Sequence, residues 1–215
     1  AVVSGNGNAQ IQVNSGPWVQ SATINPGDSI TLRQTTTAAY NTTMSARLTV
    51  GTTETIWTVT SESSGSATKI FTSINSYNGN LGGLAGADAI CQIDAGLLGY
   101  AGTWKALLSD STTNAKDRVS IQYPVIRASD NIVVAPTNLW GGSVQNAIQG
   151  PSGVWSGTDT AGNKYGTNWC DNWTNATSGY GAERVGSTVL TSSDWIVSPY
   201  TVPCSNASYR IYCVS

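Results

Sequence analysis

The placement of cysteine constrains this chain more than any other feature. All four cysteines, Cys91, Cys170, Cys204 and Cys213, fall after residue 90. None forms a C-x-x-C pair, so zinc-ribbon and thioredoxin-like readings have little to stand on. An even number of cysteines in a chain with only 10% charged residues points to two disulfides and an oxidising compartment. Four cysteines allow three pairings, and spacing alone leaves all of them open. Histidine is absent. That excludes Ser-His-Asp triads, Cys-His dyads and His-based zinc sites, and no catalytic residue, metal ligand or cofactor is expected.

The 215 residues suffice for one large domain or two small ones. Gly, Ser, Thr and Asn are abundant and Phe occurs once, a composition that suits a β-rich extracellular module. The net charge of -2 supplies no basic stripe for nucleic acid. No apolar run is long enough to insert into a membrane as a helix. The chain starts at Ala1 and shows no export leader. It is therefore read as a mature or excised fragment, extracellular or on a cell surface, with its export signal and any anchor outside it.

Two regions differ in texture. In the first, "AQIQVN" (9–14), "SITLRQT" (29–35), "MSARLTV" (44–50) and "TIWTVTS" (55–61) alternate apolar and polar residues, as half-buried strands do. "NPGD" (25–28) is a turn and "VGTTET" (50–55) a hairpin loop. Residues 1–62 are predicted to form a small all-β sandwich, followed by a Ser/Gly-rich linker at 63–68. The second region, 69–215, opens with a strand, "KIFTSI" (69–74). Leu84, Ala87, Ile90 and Cys91 then fall at helical spacing, and Gly99 is a helix stop. "TWKALLSD" (103–110), "SDWIVS" (193–198) and "YRIYCVS" (209–215) read as strands. Between residues 120 and 190 turn signals dominate.

Residues 8–60, through "INPGDSITLRQTTTAAYNTTMSARLTVG", resemble the small immunoglobulin-like repeats of bacterial surface proteins, whose role is spacing. Residues 69–215 resemble the C-type lectin-like fold. Within it they are most similar to the endostatin-related C-terminal domain of bacterial collagen-like adhesins, through "YNGNLGGLAGADAICQ", "GTWKALLSDSTTNAKDR", "LWGG", "VWSGTDTAGN", "CDNWTN" and "CSNASYRIYCVS". The resemblance implies an N-terminal all-β immunoglobulin-like sandwich plus a C-terminal α+β C-type lectin-like domain with two disulfides. It implies the pairs Cys91–Cys213 and Cys170–Cys204, and a homotrimer. Calcium-dependent members carry Glu-Pro-Asn or Gln-Pro-Asp in the long loop and Trp-Asn-Asp before the third cysteine. Here no such tripeptide precedes Cys170, and Ile196 and Val197 follow Trp195. Aliphatic side chains give calcium no oxygen, so the calcium-bridged sugar site is expected to be missing.

Trp104 and Trp195 sit in apolar contexts and are expected in the core. Trp155, Trp169 and Trp173 lie in Gly/Asn/Thr-rich loops, where binding residues concentrate. Sugar C–H faces pack on such rings, and hydroxyls bond to Asp159, Asn163, Lys164, Asp171 and Asn172. Arg184 is a candidate for anionic ligands. The competing reading is that these tryptophans wrap the Cys170 disulfide. Asp110, Asp117, Asp130, Asp159, Asp171, Glu183 and Asp194 form no motif for paired acid–base work, and turn or cap roles suit them better. The N-x-S/T sequons at Asn41, Asn172, Asn175 and Asn206 are incidental if the source is bacterial. The expected function is an extracellular adhesin or fibre-tip module binding a glycan or glycosylated surface or matrix molecule on a target cell. The alternative is a structural trimerisation cap with no ligand of its own.

Overall fold

The computed structural model describes the chain except residues 36–38, 40–41, 62–66, 152 and 178–181. Asn41 and most of the expected linker at 63–68 lie outside the described residues, whereas Thr68 already belongs to a strand. The chain divides into two compact units, Ala1–Ser64 and Gly65–Ser215.

The first unit is all β. Strands β1 (Val2–Gly5), β4 (Thr43–Val50) and β5 (Thr53–Thr60) form one antiparallel sheet, and β2 (Gln10–Val13) pairs with β3 (Ile30–Arg33) in a second. The alternating residues Val3, Ile11 and Ala46, with Ala9, make the core between them. β4 and β5 turn on Gly51 and Thr52, with Val50 opposite Thr53 and Gly51 at φ 59°. That positive φ suits the twist of a two-residue hairpin. The Asn25–Asp28 turn closes through Asp28 N–H to Asn25 O (3.1 Å), and the Asp28 carboxylate accepts from Asn25 N–H. The alternation in "TIWTVTS" predicts a half-buried strand. β5 is instead exposed almost throughout, with Ile56 59% and Trp57 42% accessible. It is an edge strand, and the buried core of this unit is drawn from β1, β2 and β4 with Ala9 and not from β5.

The second unit is built on an eight-stranded mixed sheet in which seven strands follow the order β12-β11-β10-β13-β6-β8-β9 and β7 pairs with β13 off that path. The strands are β6 (Thr68–Thr72), β7 (Lys105–Ala106), β8 (Val125–Arg127), β9 (Val133–Ala135), β10 (Val154–Trp155), β11 (Ala182–Gly186), β12 (Thr201–Pro203) and β13 (Arg210–Val214). β13 is central. It pairs with β6 on one edge and with β10 and then β7 on the other. Its near-continuous apolar run suits a strand buried on both faces. Ile211 and Cys213 join the core beneath helix α1 (Gly83–Leu97), while Tyr212 and Val214 join the opposite core around Leu107, Val125, Leu139 and Trp195.

Helix α1 buries Ala87, Cys91 and Ala95 along one stripe. It ends as its sequence predicts. Gly99 stands at φ 74°, Tyr100 N–H reaches Ala95 O (2.8 Å) and Gly99 N–H reaches Gly96 O (3.2 Å), the paired bonds of a Schellman stop. Cys91–Cys213 fastens the helix to β13, and Cys170–Cys204 closes the second pair. Arg118 joins α1 to the short helix α2 (Ala115–Arg118) through an ion pair with Asp88 at 2.8 Å. One strand expectation fails. Residues 193–195 form a 3-10 turn, η1, with Trp195 N–H bonded to Ser192 O. Strand geometry would send Trp195 and Ile196 to opposite faces, yet both are fully buried in the same core cluster.

Candidate functional site

The stretch Trp169–Trp173 folds as a left-handed turn. All five residues have φ between 49° and 65°. Such a turn costs roughly 1–2 kcal/mol per residue for L-amino acids, with Asn and Asp the most tolerant. Its supports are local. Asn168 Oδ1 accepts from Asp171 N–H (2.6 Å), Asn175 N–H and Thr174 N–H both bond to Cys170 O, and the disulfide ties Cys170 to Cys204.

This turn corrects part of the expected ligand set. Trp155 and Trp173 are fully buried, so neither offers a face to a ligand. The Trp155 indole N–H donates to Tyr77 O (2.9 Å) and that of Trp173 to Ser109 O (2.8 Å). Their rings meet edge-on at 5.8 Å, and Tyr209 packs on Trp155 at 5.1 Å. Trp169 is half-buried, its N–H donating to Gly157 O (3.1 Å). The loops bury these rings because together they form a small core over the disulfide.

The polar candidates are mostly committed to holding loops together. Asp159 Oδ1 accepts from the N–H groups of Ala161 and Asn163, and Asn163 Nδ2 returns to Asp159 Oδ2 (3.3 Å). Lys164 Nζ donates to Ser111 O (2.7 Å), and its N–H donates to Asn114 Oδ1 (2.9 Å). Asn172 Oδ1 accepts from Ser111 N–H (3.0 Å). Asp159, Asn163, Lys164 and Asn172 therefore staple the 109–114, 157–165 and 168–175 segments. Asp171 is exposed. Asp110 caps the same cluster. Desolvation raises its pKa, but bonds from Thr112 and Thr113 outweigh it and hold the carboxyl below its ordinary range. Asp130 pairs with Arg127 at 2.6 Å and Asp117 with Asn114. The Glu183 side chain lies outside the described residues.

A further solvent-open group of side chains lies beside β11. The Arg184 guanidinium sits 4.8 Å over the Tyr165 ring and donates to Pro199 O (3.1 Å). Tyr165 is 44% exposed, and its N–H shares the Gly157 carbonyl with Trp169. Tyr165, Trp169 and Arg184 thus come together. Along the 198–200 segment runs an open groove of about 340 Å³, whose lining includes Ser187, Leu190, Asp194, Ser198, Tyr200 and Tyr209. Tyr200 is 75% exposed. Gly153 allows the Tyr209 ring to lie against the backbone, where a Cβ would meet it at 2.7 Å. Tyr165, Leu190 and Tyr200 belong to no motif of the sequence. The signal in the sequence for Tyr200 is an aromatic residue in the Pro-flanked loop before Cys204. Aromatic faces beside hydroxyls and a half-buried carboxylate residue suit a polyhydroxylated ligand.

Among the described residues no group of three or more His, Cys, Asp or Glu side chains converges to hold a metal ion, and no helix is long and apolar enough to cross a membrane. No protein-family model matches the chain, and no curated protein matches it.

Proposed function

We propose that the chain is an extracellular adhesion or fibre-tip module, an immunoglobulin-like spacer followed by a C-type lectin-like head that binds a glycan or glycosylated molecule on a target surface. The carrying observation is the groove beside β11, where Tyr200 and Leu190 stand exposed next to Asp194, Ser187 and Ser198. The two disulfides suit an oxidising, extracellular setting. Binding without a bridging calcium is supported by Ile196 and Val197, aliphatic residues where calcium-dependent C-type lectins carry the Asn and Asp that follow this tryptophan. No catalytic role is assigned. A glycan array probed with the whole chain tests the reading. Binding that disappears in Tyr200→Ala, with the melting temperature unchanged, supports it.

A second reading, a homotrimeric structural cap, draws on helix α1. Its exposed positions Ala85, Ala89, Gln92, Ile93 and Leu97 carry no charge. The two charges of the helix are engaged elsewhere, Asp88 with Arg118 and Asp94 with Ile74 N–H. An uncharged helix face is suited to packing between copies, and avidity in a trimer would multiply weak single sites. A blank array from a chain that light scattering shows to be trimeric favours the cap over the adhesin.

A further inference from the structure

We propose that the groove beside β11 is specific for neutral glycans presenting adjacent hydroxyls, and that Asp194 is the residue that sets this specificity. The inference rests on the glycan-binding reading and names the ligand class of the same site. Among the described residues Asp194 is the one charged residue in the groove lining. Its carboxylate has no ion pair among the described residues. Its backbone, by contrast, is fixed. Asp194 O accepts from Ser187 N–H at 2.9 Å, and the residue sits in η1 beside the fully buried Trp195.

The groove therefore holds, on a fixed stretch of backbone, a carboxylate acceptor without an ion pair among the described residues. A carboxylate offers two oxygens and donates nothing. Two neighbouring sugar hydroxyls satisfy it with charge-assisted bonds. The exposed Tyr200 and half-buried Tyr209 lie in the same groove to receive the C–H face of the ring. The same charge opposes a uronate or sulfate on the ligand. Arg184 does not offset it. Its guanidinium stacks on Tyr165, donates to Ser198 O and Pro199 O, and is not part of the lining. The chain as a whole is acidic, with a net charge of -2.

The test is an amide-resonance titration of the isotope-labelled whole chain. The probes are neutral gluco-, manno- and galacto-oligosaccharides, set against oligogalacturonate and sulfated oligosaccharides of the same length. The expected result is that neutral members shift Ser187, Leu190 and Tyr200. Acidic members should bind about tenfold more weakly or worse. Asp194→Asn should weaken neutral binding about fivefold, as a charged acceptor becomes a neutral one, and should narrow the gap between the two series. Its melting temperature should match the parent's, since the carboxylate is not part of an ion pair. Acidic ligands binding at the groove as tightly as neutral ones would overturn the proposal, as would an Asp194→Asn variant with an unchanged ratio. Shifts confined to Tyr165 and Trp169 would also overturn it while leaving glycan binding intact. If neither series shifts any resonance, the glycan reading fails with it. The neutral-to-acidic ratio of the unaltered chain decides the matter even if the variant does not fold.

Discussion

At Gly157 the loop cluster tolerates no side chain. A Cβ there would stand 2.5 Å from Trp169 Cδ1 and 2.9 Å from Trp173 Cζ2, and φ is +55°. Gly157→Ala combines overpacking with a left-handed backbone, and we expect it to cost about 3 kcal/mol in urea denaturation. Tyr200→Ala, at a largely exposed position, should stay within about 0.5 kcal/mol of the parent while removing glycan binding. The contrast shows why the site was only partly legible. Loop position correlates with exposure, so tryptophans in Gly- and Asn-rich segments read as ligands. Here the loops pack on one another, and backbone carbonyls satisfy the indole N–H groups. Side-chain type could not separate Trp173 from Tyr200, because the difference arises from contacts more than sixty residues apart, such as Trp173 to Ser109. Asp110 carries a pH prediction. Its folded pKa is depressed, so the unfolded chain binds the proton more readily. The associated stability is present above the unfolded pKa and lost as pH falls through the folded one. The melting temperature should fall on acidification through and below the carboxylate range, and Asp110→Asn should flatten that dependence.

Among the elements, helix α1 was readable and η1 was not, for one physical reason. The apolar stripe of Ala87, Cys91 and Ala95 and the Gly99 stop both act within a few residues. The 193–198 segment is decided instead by tertiary burial, which places Trp195 and Ile196 in the same core. Likewise β5 alternates correctly but sits at an edge, and sequence alternation carries no information about a strand's place in the sheet. The α1 surface yields a prediction of its own. Leu97 is 74% exposed, so Leu97→Glu should leave stability within about 0.5 kcal/mol. If copies pack through this uncharged face, the same change should reduce the assembly to monomer in light scattering. An unaltered oligomer would place the contact elsewhere.

At the scale of the whole chain, the two units depend on different forces. Ala1–Ser64 contains no cysteine and rests on a core of small and β-branched residues. Gly65–Ser215 contains both disulfides, with sequence separations of 122 and 34. In the chain-entropy account, loops of those sizes restrain the unfolded state by about 5 and about 4 kcal/mol. The shorter loop also holds the left-handed turn, whose own conformation is unfavourable, so its removal should release the segment that carries Trp169 and Trp173. Reduction should therefore act on one unit only. Calorimetry of the whole chain with and without a strong reductant should show the transition of Gly65–Ser215 falling by about 18 °C or more, at roughly 2–4 °C per kcal/mol for a unit of this size. The transition of Ala1–Ser64 should stay in place. Replacing Cys170 and Cys204 together by Ala should reproduce about half of the shift. It should also broaden the amide resonances of residues 169–175 while leaving those of α1, still fastened by Cys91–Cys213, sharp. A reductant that moved both transitions equally would mean that the disulfides stabilise the chain by a route other than restraint of the second unit.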